Sequence, residues 1–307
     1  MQGQGRHEQV PGKMRGQGWV QVRCEVWRPG SGRRQVCRSQ VRAQMRSEVC
    51  SEVRTQELTA TPRTRRFLTQ GDRRARDAGS QVLETYRQLA RDGRHMLQPL
   101  LDGQNPVQWR HYPPDDAVDA ATGYQWFYHS HSPQDRAGSG EHGHFHLFAR
   151  RPIWARRLCS ERERAFAALT GNPDPVVQTR HLLGLGLDPR GVPVSLFTVN
   201  SWVTGDLMLS AGLTGELLAG WKHASGYAQV DTVLAGILAV FRDEILDLLA
   251  ERDASLRSRM PGCVLGDRTL EVLSERAIDA SGRLAQLCGG QAARGPGFWR
   301  DGRASVR

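Results

Sequence analysis

The chain has 307 residues, 42 Lys+Arg against 32 Asp+Glu, and 39% hydrophobic residues, enough for one large domain or two small ones with a real core. Its longest apolar stretch, Val233 to Phe241 interrupted only by Gly236, falls far short of the ~20 residues that cross a bilayer. The opening MQGQGRHEQVPGKMRGQGWV holds no apolar signal core, so membrane and secreted classes are not expected and a cytoplasmic protein is.

The net charge of +10 is concentrated at one end. Residues 1–66 carry 14 basic and 5 acidic side chains, and the remaining 241 residues carry 28 and 27. The body is therefore nearly neutral, and its charge does not argue for a nucleic-acid partner. A small-molecule substrate is the expected partner, with neither nucleic acid nor membrane.

Residues 1–66 contain a single Leu, Leu58, and neither Ile nor Phe. Such a segment buries too little apolar surface to offset its ordering entropy. It is expected to be a disordered basic extension, or an over-extended start whose natural first residue lies between Leu58 and Phe67. Cys24, Cys37 and Cys50 recur every thirteen residues, while Cys159, Cys263 and Cys288 are scattered. None has the close pairing of a zinc motif, so reduced, isolated thiols are expected. Residues 67–290 are read as one domain and 291–307 as a flexible tail.

In the body, Val82, Tyr86 and Leu89 at i, i+4 and i+7 predict a helix over 72–92, stopped by Gly93. Met96 to Leu101 is a short apolar cluster. Pro106, Pro113 and Pro114 with Asp115, Asp116 and Asp119 read as an irregular acidic approach. Tyr124–His131 reads as an aromatic-rich strand, 132–140 as a loop, and Glu141–Phe148 as a second, antiparallel strand. Ser160 is placed to cap a short helix through Leu169, ended by Gly171-Asn172-Pro173. Residues 178–187 form a third strand with Leu183, Leu185 and Leu187 on one face. The turn Asp188-Pro189-Arg190-Gly191 follows, because Pro presets φ and Gly accepts positive φ, and Val192–Asn200 returns. A helical stripe runs from Tyr227 to Arg252, and a weaker one from Thr269 to Leu287. The expected fold is α+β: a central antiparallel sheet of at least four strands flanked by N- and C-terminal helices.

Of ten histidines, five lie between residues 129 and 146. A strand places i, i+2 and i+4 on one face. His142, His144 and His146 therefore project together, as do His129 and His131. If an odd residue opposes an even one across the hairpin, all five meet; a slip of one residue separates them. The meeting arrangement is preferred because it leaves Trp126, Tyr128, Phe145 and Leu147 on the other, apolar face. Imidazole is a common ligand for Zn and Fe, and three His leave an open position for chemistry. The candidate metal ligands are His129, His131, His142, His144 and His146, with a divalent Zn or Fe. Glu141 points away in an ideal strand, and becomes a base or ligand if the strand begins after it. Asp115, Asp116, Asp119, His111 and His181 are candidates for supporting groups. Asn200, Thr204 and Asp206 could line the cleft, although a turn with Asp206 as a cap is the simpler reading. Gly184-Leu185-Gly186 lies in a strand without a following helix or Lys, so it is not a phosphate loop. Arg150, Arg151, Arg156 and Arg157 read as a solvated basic face.

His142-Gly143-His144-Phe145-His146-Leu147-Phe148 resembles the motif of the histidine-triad nucleotide hydrolases and transferases, with Gly143 departing at an apolar position. The resemblance implies His144 as nucleophile toward an α-phosphorus, with His142 and His146 orienting it and serving the leaving group. It covers seven residues and ends more than 150 residues before the chain does, whereas the family's motif closes its domain. More broadly, TGYQWFYHSH, EHGHFHLF and FTVNSWVTG resemble an uncharacterised bacterial domain family of unknown function, over roughly residues 72–287. That implies a genuine domain and supplies no reaction. Three readings stay open: a metal-dependent enzyme with Glu141 and His144 as catalytic groups, a metal-free nucleotidyl hydrolase or transferase, and a binding or pH-sensing domain whose imidazoles charge near pH 6.

Overall fold

The computed structural model describes residues 19–26, 35–42, 69–132, 140–170, 178–205, 207–259 and 264–289. The chain divides into two units, Met1–Arg65 and Arg66–Arg307. In the first, strands β1 (Trp19–Val26) and β2 (Gln35–Arg42) pair antiparallel, in a register that sets Cys24 opposite Cys37. The tail at 291–307, the helix stop at Gly171-Asn172-Pro173, Asp206 and the middle of the loop at 132–140 lie outside the described residues.

The second unit runs α1 (Gln70–Arg91), α2 (Gln98–Leu101), β3 (Tyr112–Asp119), β4 (Tyr124–Ser130), β5 (Gly143–Arg150), α3 (Arg151–Trp154), α4 (Glu161–Thr170), β6 (Thr179–Leu187), β7 (Pro193–Val199), α5 (Ser201–Thr204), α6 (Ala211–Ala219), α7 (Ala228–Val240), α8 (Arg242–Arg257), β8 (Val272–Ala277) and α9 (Ala280–Cys288). The six strands β3 to β8 form one antiparallel sheet in chain order. The fold is α+β, as the residue pattern predicts. Each neighbouring pair is joined in sequence, so no crossover is needed.

Local chemistry accounts for several boundaries. Thr69 and Asp72 form a reciprocal capping box at the start of α1: Thr69 Oγ1 accepts from the Asp72 N–H at 3.1 Å, and Asp72 Oδ2 accepts from the Thr69 N–H at 2.9 Å. Ser160 Oγ accepts from the Glu163 N–H at 3.3 Å, the cap expected for α4. After β6, Asp188 Oδ1 accepts from the N–H groups of Arg190 and Val192, both at 2.9 Å, and closes the turn into β7.

One face of the sheet carries Trp126, Tyr128, Phe145, Leu147, Leu185 and Leu196. These pack with Val82 and Leu89 of α1 and with the buried leucines of α6, α7 and α8 in a single apolar cluster. A fully buried Leu or Phe contributes ~1.5–3 kcal/mol, so this layer dominates the cohesion of the domain. The opposite face is buried as well near the sheet centre, where Phe127, His129, His144, His146, Phe148 and Phe197 are all at most 9% exposed.

Three elements differ from their expected form. The proline-rich 112–119 segment is a strand, β3, at the edge of the sheet, with a register shift between Tyr112 and Ala117. Edge strands tolerate Pro because one row of N–H groups has no partner to serve. The stripe from Tyr227 to Arg252 is two helices that meet at Phe241, whose φ is −105° and ψ 25°. The apolar face continues across the bend, so periodicity does not register it. The stretch from Thr269 to Leu287 is not one helix: Val272–Ala277 pairs with β7, from Ser195 opposite Ala277 to Val199 opposite Val272. Only Leu273 of β8 is buried, and pairing with a neighbouring strand overrides the weak helical pattern.

Candidate metal centre

The register of β4 with β5 sets His129 opposite His144 and Phe127 opposite His146. An odd residue therefore opposes an even one, and His129, His144 and His146 meet on the face away from the helices. His131 follows just past β4, and its N–H bonds the His142 carbonyl at 3.1 Å.

The rings are tightly drawn together. Nε2 of His144 lies 2.6 Å from Nε2 of His129 and 2.9 Å from Nε2 of His146. Nδ1 of His144 lies 3.0 Å from Nε2 of His131 and 2.6 Å from Oε1 of Glu141. Nδ1 of His146 lies 2.9 Å from Nε2 of His181. His129, His131 and His144 form a buried group whose ligand atoms all lie within 4.8 Å of one another and could hold a metal ion.

His142 does not join this group. It precedes β5, and its Nδ1 lies 3.2 Å from the hydroxyl of Tyr128, a residue of the apolar face. Strict alternation would send it to the imidazole face, but the strand begins one residue later. Gly143 makes this local path feasible, because a Cβ there would collide with the Tyr128 hydroxyl and the His129 carbonyl. This also explains why the position is glycine where the histidine-triad pattern has an apolar residue.

His181 arrives by a different route. Leu147 pairs with Leu183, but the next residue, Phe148, pairs with His181, so Leu182 is an extra residue in β6. Without this bulge His181 would share the apolar face of Leu183 and Leu185. The bulge turns it to the imidazole face beside His146.

Glu141 is the buried acid of the site. Its carboxylate accepts from Ser195 Oγ of β7 through Oε2 at 3.1 Å and faces His144 through Oε1. Gly186 of β6 leaves the room it needs, since a Cβ there would strike both Ser195 Oγ and the Glu141 carboxylate. That is the use of the glycine in Gly184-Leu185-Gly186: close approach within a sheet, not a phosphate loop.

Burial favours the neutral form of His129, His146 and His181. His129 is held down to about 3, first by burial and then by His131 and His111. His181 is likewise held down to about 3, by burial and then by Arg252. His146 is pushed well below the usual imidazole value, by burial and then by His181. A neutral imidazole is the ligating form.

A cavity of about 210 Å³ opens onto the cluster, lined by Trp109, His129, His131, His144, His146, Phe197 and Val199 of β7, Val203 of α5, Glu271 just before β8, and Val272 of β8. Trp109 stands edge-on to His129 and His131, with ring centroids 5.6 and 4.8 Å apart, and is 57% exposed. Trp109, Ser195, Phe197 and Glu271 escape a reading of the sequence, because only strand pairing brings them to the histidines.

Of the other expected supporting groups, His111 borders the cluster, its ring centroid 6.2 Å from that of His129, and the rest lie elsewhere. Asp115 is exposed. Asp116 binds His111 Nδ1 at 2.9 Å and Gln125 Nε2 at 2.7 Å, and His111 stacks on Phe127 at 3.7 Å. Asp119 accepts from the N–H groups of Ala121, Thr122 and Ala224. Asn200 caps α5 and donates to the Val264 carbonyl. Arg157 and Arg162 both pair with Glu216 at the surface.

A family model described as a domain of unknown function, DUF6969, matches residues 76–278. No curated protein and no solved structure is matched by the chain. Among the described residues, no helix is long and apolar enough to cross a membrane.

Proposed function

The chain belongs to the DUF6969 domain family, and we propose that its body holds one divalent transition metal at His129, His131 and His144, as the centre of a metal-dependent enzyme acting on a small molecule. The observation that carries this reading is the environment of His144. Its Nδ1 faces the Glu141 carboxylate, which accepts an N–H there and leaves a lone pair at Nε2. That Nε2 lies 2.6 Å from Nε2 of His129 and 2.9 Å from Nε2 of His146, the imidazole that stands beside the three proposed ligands. One proton can serve only one such N···N contact, whereas a cation accepts all the lone pairs together. A carboxylate on the far nitrogen of a ligating histidine is the usual orienting arrangement.

In this reading Glu141 is a positioning residue, held by Ser195 and seated over Gly186, and His146 is a fourth imidazole within reach, itself oriented by His181. Imidazole-rich sets suit Zn and Fe. Such an ion would supply an activated water or a polarised substrate oxygen at the position facing the cavity. Trp109 and the valines of the cavity would exclude bulk water around it.

The test is elemental analysis of protein purified without a histidine tag. Near one equivalent of Zn or Fe is expected, lost in His144→Ala with an unchanged circular dichroism spectrum. A wild-type protein that stays metal-free after incubation with either ion overturns the reading. The histidine-triad reading draws less support, because His142 faces Tyr128 and not His144. A pH sensor working near pH 6 draws less still, because His129 and His181 are held near 3.

A further inference from the structure

A second concavity lies on the other side of the domain, between α1, α6, α7 and α8, with a volume of about 290 Å³. It shares no lining residue with the histidine site. Its wall is aliphatic and aromatic: Leu218, Trp221, Leu238, Ile245 and Leu246. Ala75, Ala235 and Ala239 keep it open where larger side chains would close it.

Its rim is of one sign. Arg74, Lys222 and Arg242 line it and are exposed, and neither Asp nor Glu lines it. Among the described residues Arg74 and Lys222 make no ion pair, and Arg242 pairs with the exposed Asp243 alone, at 3.2 Å. Three cations around one apolar cavity are unusual in a body whose charges otherwise nearly balance. Trp221 lines the cavity, and its indole Nε1 is itself withdrawn from accessible space. This residue is 7% exposed, and its Nε1 has no hydrogen-bond partner among the described residues.

We propose that this cavity binds a single-chain aliphatic acid, with the alkyl chain among the leucines and the carboxylate at Arg74, Lys222 and Arg242. The volume is at the small end of ligand sites, which suits a chain of medium length better than a nucleotide. A purine or pyrimidine would also require polar partners in the wall, and these are lacking.

The test is isothermal titration of the untagged full chain with hexanoate, octanoate and decanoate, each below its micelle concentration. One-to-one binding is expected, tightening about fourfold with each added methylene. Decanol, which lacks the charge, is expected to bind about tenfold more weakly than decanoate. Arg74→Gln with Arg242→Gln should weaken decanoate similarly, and Ala239→Leu should abolish binding by filling the cavity. Both variants should keep the wild-type melting profile and the metal content of the histidine site, which separates this site from that one. No heat with any chain, equal affinity for decanol and decanoate, or wild-type binding by a folded Ala239→Leu overturns the proposal. So does sedimentation with anionic phospholipid vesicles in the absence of decanoate binding, which would make the cationic rim a membrane contact.

Discussion

Oε1 of Glu141 lies 2.6 Å from Nδ1 of His144, although residues three apart in an ideal strand face opposite sides of the sheet. The contact exists because β5 begins at Gly143, so Glu141 sits on the approach to the strand and folds under it. Both side chains are almost fully withdrawn from water, at 0% and 5% exposure. A carboxylate so placed is tolerable only when its oxygens are engaged, and here His144 and Ser195 engage them. The consequence is a fixed ring orientation for His144.

Glu141→Gln preserves the shape of this contact and removes its charge. Metal affinity is expected to fall by about 10–100-fold, read by competition with a chromophoric chelator, while the circular dichroism spectrum is unchanged. His142→Ala is expected to retain the wild-type metal content, since its ring faces Tyr128. Metal loss in the His142 variant would contradict the assignment of faces.

Gly186→Ala tests the seat of that carboxylate. The added methyl meets Ser195 Oγ and Glu141, so either β6 or Glu141 must move. A destabilisation of about 1–3 kcal/mol is expected, with a loss of metal affinity in the same direction as for Glu141→Gln. A denaturant titration and the chelator assay together check it.

Acid should weaken the metal-free domain well above the carboxylate range. His129 and His181 have folded values of about 3, below the ~6.5 of an unfolded histidine. Between these values the unfolded chain binds more protons, so stability falls as pH falls. The slope is at most about 1.4 kcal/mol per pH unit for each ring. The window opens near the unfolded value and closes near the folded one. Urea midpoints across that range should show the decline, and a bound metal should move it to lower pH, because protons must then compete with the ion. A flat profile in the metal-free protein would contradict it.

Asp231 gives a second, separable acid response. It accepts from Trp126 Nε1 at 3.1 Å and from the Ser225 N–H at 2.8 Å, and lies 3.0 Å from His223 Nδ1. Burial pushes its carboxyl upward, but the hydrogen bonds from His223, Ser225 and Trp126 outweigh this and hold it below the usual range. A depressed folded value contributes stability that is present above the ordinary carboxylate value of ~3.9 and is lost as pH falls through the folded one. Asp231→Asn should cost about 1–3 kcal/mol at neutral pH, and the gap to wild type should narrow in thermal melts below pH ~4.

The alternation of histidine with aromatic residues was legible, because the two faces of a strand follow from the backbone alone. It brought out the hairpin, the common side of His144 and His146 on one strand and of His129 and His131 on the other, and the preference for Trp126, Tyr128, Phe145 and Leu147 as an apolar face, while the register that joins the two histidine sets stayed open. The turn at Asp188 and the cap at Ser160 were legible for the same reason: each depends on side chains a few residues from the backbone they serve. The strand character of β3 and β8 was not, since their own residues favour it weakly and pairing with β4 and β7 decides it.

What the sequence determined by itself is therefore a set of periodicities: an α+β domain with imidazoles gathered on two neighbouring strands. Tertiary structure alone decided which imidazoles meet. The bulge at Leu182 turned His181 toward the group, the late start of β5 turned His142 away and Glu141 in, and Gly186 on a third strand made space for the acid. Side-chain direction along one strand is a local property of the chain. Register, bulges and close approaches are properties of the contact between strands, and they come into being only when the sheet assembles.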